Sequence, residues 1–129
     1  MKRIVIIVVA VLAFSAAILY RRYEDRREKT SARLQAQFGV WDATLARLQH
    51  DLPVGTSRAE VKRYLDSEKF AYTEGDRVTV NLGQVPGDGF ACDHWSAYLS
   101  FEFRSLGEAG RLPDARLNRI SLNRFGHCL

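Results

Sequence analysis

The chain has 129 residues, of which 47% are hydrophobic and 26% charged, and its formal net charge is +4. This length suits one compact domain, and the composition excludes a disordered, collagen-like or low-complexity chain. The 2 cysteines are too few for a disulfide-dense mini-protein. No motif identifies a substrate or a reaction, so we predict no catalytic residue, no cofactor and no enzyme activity.

A short basic start, residues 1–3, precedes an uncharged apolar run from Ile4 to Tyr20. As a helix this run would measure about 26 Å, close to the roughly 30 Å hydrocarbon core of a bilayer. We therefore predict a transmembrane anchor over residues 4–20. A signal peptide cleaved after Ala17 is the main alternative, although the positive charge that follows is poorly exported. A buried helix of a soluble protein fits less well, because the rest of the chain is too short to enclose it.

Residues 21–33 are densely charged and carry no apolar stripe, which predicts a solvated stem below a small domain of residues 34–129. Without residues 1–20 the chain has 17 basic and 15 acidic side chains, because only Lys2 and Arg3 are lost. The pI of 9.3 is therefore no sign of a nucleic-acid partner, and we predict none.

The helical pattern continues to about Gln49, with large apolar residues every three or four positions on one helix face. They are Leu34, Phe38, Trp41, Leu45, Leu48 and Leu52. Two interpretations stay open. The stripe packs on the protein's own sheet, or the 34–52 helix presents it as an interaction face to an envelope protein or a second copy. Gly39 and the short length of the stripe argue against an extended coiled coil.

Pro53 and Gly55 end the first helix, since proline lacks an amide donor and glycine frees the backbone. A second helix begins at once. Ser57 and Glu60 have the spacing of a capping box, in which each side chain accepts from the other's backbone amide. We expect this short helix to end near Ser67.

After the second helix the apolar period changes to two, which indicates strands. The predicted strands are Phe70–Thr73, Val78–Leu82, Trp95–Phe103 and Leu117–Phe125, with a glycine-rich loop at 83–89 and a polar connection at 104–116. The loop lacks the ending of a phosphate-binding loop. The predicted fold class is α+β, in which an N-terminal transmembrane helix precedes two helices packed on a three- or four-stranded antiparallel β-meander.

The last two strands share their apolar faces in either of two registers, in which Phe101 or Leu99 lies opposite Ile120. Both registers bring Cys92 and Cys128 to within about one residue of direct opposition. We therefore predict a disulfide between these two cysteines. Unpaired thiols and a metal site are the alternatives.

The metal alternative arises because Cys92, His94, His127 and Cys128 converge, and thiolate and imidazole are zinc ligands. Neighbouring residues on a strand point to opposite faces, however, so His127 and Cys128 cannot easily serve one ion. We predict no metal site.

Two signals disagree on the side of the membrane that the domain occupies. The count of basic residues on each side of the anchor favours the cytoplasm. A disulfide favours an oxidising compartment such as the bacterial periplasm. We give the cysteine register more weight, because long domains often cross a membrane despite flanking charge.

Residues 52–65, LPVGTSRAEVKRYL, resemble the Gly-x-Ser/Thr-x-x-Glu-Val-x-x-x-Leu opening of small envelope domains of the SmpA/OmlA type. They are similar to the repeat of β-lactamase inhibitory protein. The resemblance implies two helices against a three-stranded antiparallel sheet. The terminal Cys128-Leu129 also resembles the end of small membrane-anchored proteins of proteobacteria.

The expected protein is a single-pass inner-membrane protein whose partners are the lipid bilayer and an envelope protein or second copy. Its small domain would be a periplasmic binding or structural module. A cytoplasm-facing anchored adaptor is the first alternative. A metal or redox protein using Cys92, His94 and Cys128 is the second.

Overall fold

The computed structural model describes residues 2–87, 89, 91–104 and 108–128. Its elements follow the chain as α1 Lys2–Asp51, α2 Arg58–Ser67, β1 Tyr72–Glu74, β2 Val78–Pro86, β3 Cys92–Phe103, α3 Glu108–Arg111 and β4 Leu117–Cys128. The expected α+β class is confirmed, with α1 and α2 on a four-stranded antiparallel sheet.

The N-terminal apolar run, the charged stem and the first domain helix form one continuous helix. α1 has 50 residues, about 75 Å at about 1.5 Å per residue. The sequence pattern predicted a separate anchor helix, but no proline interrupts the stretch. A lone glycine such as Gly39 costs a helix only about 1 kcal/mol. The change from an apolar to a charged surface therefore takes place without a change of backbone.

Helix α2 begins at the predicted capping box. The Ser57 hydroxyl accepts from the Glu60 amide at 3.2 Å, and the Glu60 carboxylate accepts from the Ser57 amide at 3.0 Å. The helix ends at Ser67, and Lys69 then adopts a left-handed conformation with φ of 59°. This turn, together with a bond from the Phe70 amide to the carbonyl of residue 65, directs the chain into the sheet.

The sheet is a meander in the order β1-β2-β3-β4, with every neighbouring pair antiparallel. Strand β2 continues through residues 83–86, where the sequence pattern predicted a loop. These residues pair with β3 after a bulge between Asn81 and Gly83, where Gly83 has a φ of 94°. A glycine that permits such a bulge looks the same in sequence as a glycine in a loop.

Three other predicted boundaries also differ from the structure. Strand β1 begins at Tyr72 rather than at residue 70, β3 begins at Cys92, and β4 continues to Cys128. The connection predicted for residues 104–116 contains the short helix α3 and an antiparallel bridge from Ser57 to Arg116. Pairing between β3 and β4 extends both strands into stretches whose residues no longer alternate between apolar and polar.

Alternate residues of the strands divide the sheet into two faces. The core face is buried under α1 and α2, and its core comprises Leu48, Leu52, Val61, Leu65, Val78, Val80, Leu99, Phe101, Phe103, Ala115, Leu117 and Ile120. The strand residues that alternate with these and point away from the core form the second face, which we call the outer face. Asn81, Tyr98 and Asn123 lie opposite one another across its three long strands.

Candidate functional site

The N-terminal part of α1 is apolar and fully exposed. Its exposed large side chains are Ile6, Ile7, Val8, Val9, Val11, Leu12, Phe14, Ile18, Leu19 and Tyr20, and Phe14 retains 71% of its accessible surface. Within the described residues, α1 is the one helix long and apolar enough to cross a bilayer. Its apolar stretch is 0% buried, so the rest of the described chain does not cover this surface.

The C-terminal part of α1 packs on the sheet. Trp41 and Leu48 are 2% and 0% exposed, and Leu45 packs against the core. Phe38 stacks on Trp41 at 5.6 Å and meets Trp95 of β3 edge-on at 5.3 Å. Of the two interpretations of the apolar stripe, packing on the protein's own sheet describes this structure.

The predicted interaction face is therefore largely occupied within the chain. Leu34 and Phe38 stay half-exposed at the end of the stripe nearest the stem, whereas Trp41, Leu48 and Leu52 beyond them are buried. A partner helix along this face would collide with the sheet.

Polar contacts fix the direction of α1 relative to β4. Gln49 donates to the carbonyl of Ile120 at 3.2 Å, and Arg124 forms an ion pair with Asp42. The Arg124 guanidinium also lies over the Phe38 ring, 4.9 Å from its centre. Later residues of β4 thus meet earlier residues of α1. The end of β4 at Cys128 is consequently the end of the domain nearest the N-terminal apolar stretch.

A disulfide joins Cys92 and Cys128 at this end of the sheet. The strands adopt the first of the two expected registers, with Phe101 opposite Ile120, and the cysteines are paired in the same ladder after a bulge. A side chain at Gly126 would lie 3.0 Å from the Trp95 ring and 3.1 Å from the Cys128 sulfur. The disulfide therefore lies on the core face, beside Trp95.

The two histidines near the disulfide lie on the outer face. His94 and His127 are directly opposite in the register, and their rings stack 4.0 Å apart at 17°. Because both cysteine sulfurs are bonded to each other on the core face, they cannot join these imidazoles around one ion. In this disulfide-bonded form, a metal centre built from Cys92, His94 and Cys128 therefore lacks the required geometry. Among the described residues, no group of three or more His, Cys, Asp or Glu side chains is placed to hold a metal.

The outer face is rich in hydroxyl, amide and aromatic groups. Tyr98 meets Phe125 edge-on at 6.0 Å, and Asn123 donates to Ser100 at 3.3 Å. Phe125 remains 55% exposed. A depression of about 220 Å³ lies beside Tyr98, lined also by Thr79 and Asn81. A low density of charge, together with exposed aromatic rings, is typical of the centres of protein interfaces.

The opposite end of the domain is held by a buried arginine that no sequence pattern singled out. Arg58 is 2% exposed, donates to the Gly75 carbonyl at 2.9 Å and lies 5.0 Å from the centre of the Phe103 ring. Glu74 lies 3.9 Å from it and forms a 2.7 Å ion pair with Lys62, which raises the pKa of Lys62. These contacts tie the β1–β2 hairpin to α2.

The remaining pKa shifts arise from similar structural contacts. The Tyr64 hydroxyl donates to Asp51 at 2.5 Å, which raises the pKa of Tyr64 to about 12 and joins α2 to the end of α1. Hydrogen bonds from Ser57 lower the pKa of Glu60 at the helix cap. These hydrogen-bonded groups each have a partner that explains the shift, whereas burial is the main cause of the raised pKa of Tyr72.

Comparisons with known proteins do not place the chain in a family. No family model matches the sequence, and no similar curated protein or solved structure was found.

Proposed function

We propose that this chain is a single-pass membrane protein whose α1 crosses the inner membrane at residues 4–20 and carries a small binding or structural domain in the periplasm. The exposed apolar half of α1 carries this proposal. Its large side chains have no protein surface to cover them, and a bilayer removes all of them from water together.

The cysteine pair supports the periplasmic side. Disulfides persist in oxidising compartments and are rare in a reducing cytosol. The bond between Cys92 and Cys128 joins the two strands that end nearest the anchor. It therefore holds the C-terminus at the base of the domain, where a strand end would otherwise fray.

The outer face supports a binding role. Helices cover the core face, whereas Tyr98, Phe125 and the amide of Asn123 stay accessible on the other. The order of helices and strands also agrees with the SmpA/OmlA-like resemblance, although this sheet has one strand more than that resemblance implies. A small envelope module that presents one sheet face to a partner fits both observations.

The second candidate is a cytoplasm-facing adaptor with the same anchor. The basic residues of the stem favour it, because positive charge flanking an anchor tends to remain in the cytoplasm. Six of these residues lie between positions 21 and 33: Arg21, Arg22, Arg26, Arg27, Lys29 and Arg33.

A pair of C-terminal reporter fusions to the full chain separates the two candidates. Alkaline phosphatase is active only in the periplasm, and a fluorescent protein that folds only in the cytosol is its matched control. We expect phosphatase activity without fluorescence. Fluorescence without phosphatase activity would overturn the periplasmic assignment and favour the adaptor. Loss of both reporters from the membrane fraction would overturn the anchor itself.

A further inference from the structure

The His94 and His127 side chains form a pair that the fold holds in place. They are direct cross-strand neighbours on β3 and β4, and their ring centres are 4.0 Å apart. The imidazole planes differ by 17°, so the two rings lie nearly parallel. Both belong to the outer face, where no helix of the described chain covers them.

The backbone beneath the two histidines is restrained on both sides along the strands. The disulfide between Cys92 and Cys128 closes one side. On the other side, the Trp95 ring packs against the backbone of Gly126. Ser96, which is 1% exposed, places its hydroxyl oxygen 3.5 Å from Nε2 of His127. The ladder therefore holds the backbone positions of the two histidines opposite each other before any ligand arrives.

This spacing suits a divalent transition-metal ion. Metal-bound imidazole nitrogens lie about 2.0–2.1 Å from the ion, which places two neighbouring nitrogens about 3 Å apart. In the stacked arrangement the nitrogen lone pairs of the two rings lie in nearly parallel planes, so binding one ion requires the rings to turn out of the stack until both lone pairs converge. His94 is half-buried and His127 is exposed, so water has access to the remaining coordination positions. The serine hydroxyl can orient the His127 ring by a hydrogen bond to it, as groups that contact metal ligands from behind commonly do.

We infer that His94 and His127 form a two-histidine site for a divalent late transition-metal ion, with Cu²⁺ bound most tightly. Imidazole is a ligand for copper, nickel and zinc, and the Irving–Williams order places Cu²⁺ first among them. The site uses neither cysteine, so it is compatible with the intact disulfide.

The test is a titration of the full chain in detergent with CuCl2, followed by calorimetry and by electron paramagnetic resonance. We expect one Cu²⁺ per chain, and hyperfine structure from two imidazole nitrogens. His94→Gln and His127→Gln should each weaken Cu²⁺ binding by at least about tenfold, because each leaves a single imidazole without its chelating neighbour. His50→Gln is the matched control, since His50 lies at the end of α1 and should leave binding unchanged.

Three results would overturn the site. They are no Cu²⁺ binding by the wild-type chain, a wild-type spectrum with a single nitrogen ligand, and a loss of binding that is as large in His50→Gln as in the other two variants. The wild-type spectrum counts ligands by itself, so the proposal stays testable if a variant fails to fold. ZnCl2 in place of CuCl2 should bind more weakly at the same two histidines.

Discussion

The two ends of α1 share one backbone and have opposite surroundings. Phe14, in the N-terminal part, is 71% exposed, whereas Leu48, in the C-terminal part, is completely buried. Between them lies the charged stem, which is neither apolar on all sides nor marked by an apolar stripe. The difference shows that the side-chain pattern decides what covers a helix. Apolar residues on all sides require a surrounding apolar medium, whereas an apolar stripe requires one sheet.

Because α1 is one continuous helix, it sets the distance between its apolar end and the domain. About 14 residues of α1 separate Tyr20 from Leu34, which corresponds to about 21 Å of helix. If the first segment lies in a bilayer, the stem holds the domain at this height with the disulfide end closest to the membrane. A partner on the outer face would then meet a surface at a defined distance from the lipid.

The largest expected effect comes from charging the exposed end of α1. The double variant Val8→Arg and Leu12→Arg should remove the protein from the membrane, because an arginine near the bilayer centre costs about 3 kcal/mol. Alkaline carbonate extraction of membranes measures this change. Gln35→Arg, at an exposed position of the same helix just beyond the stem, is the control and should stay in the pellet. Equal extraction of the wild type, the double variant and Gln35→Arg would contradict the anchor.

Truncating the buried end of α1 should affect folding instead. Leu48→Ala removes a fully buried side chain and should lower the free energy of unfolding by about 2–5 kcal/mol. Val40→Ala, on the exposed side of the same helix, should change it by less than about 0.5 kcal/mol. Denaturant titration monitored by tryptophan fluorescence tests both, since Trp41 and Trp95 lie in the domain. Similar effects at the two positions would show that α1 does not pack on the sheet in this orientation.

Removal of the disulfide should come next in size. The double variant Cys92→Ser and Cys128→Ser frees the end of β4, and a bridge across 36 residues contributes about 4 kcal/mol by chain entropy. The same titration measures the loss of stability. Membrane association should be unaffected, because the anchor does not depend on the bridge. A variant that leaves the membrane would argue against this separation of anchor and domain.

The smallest effect is expected at the cap of α2. Ser57→Ala should cost about 1 kcal/mol, because it removes the hydroxyl that accepts from the Glu60 amide. The Glu60 pKa is lowered in the folded protein, so its stabilising contribution is present above the unfolded value of 4.5 and is lost as pH falls through the folded value. Glu60→Gln should therefore lose less stability than wild type between pH 7 and pH 3. An identical loss would show that the capping box does not form.

Local signals predicted the parts of the fold that depend on neighbouring residues. The Ser57–Glu60 capping box and the alternation from Trp95 to Phe103 are complete in the sequence itself. The sequence narrowed the register of β3 and β4 to two alignments, with Phe101 or Leu99 opposite Ile120. Both left the cysteines about one residue from direct opposition, and the bulge beside Cys92 removes that offset in the structure.

Features that depend on distant contacts were not predictable. The extension of β2 past Gly83 depends on pairing with β3, and the burial of Arg58 depends on the hairpin turn at Gly75. The stacked histidines needed both the register and the bulge beside Cys92. Each involves residues far apart in sequence, for which composition and periodicity carry no signal.

The most direct test of an anchored domain in an oxidising compartment is intact-mass analysis of the full chain. Membranes would be washed with carbonate, treated with an alkylating reagent without reductant, and dissolved in detergent. The account predicts a carbonate-resistant chain that carries no alkyl group and is lighter by two hydrogens, for the bond between Cys92 and Cys128. A chain with two alkylated cysteines, or one found only in the soluble wash, would contradict it.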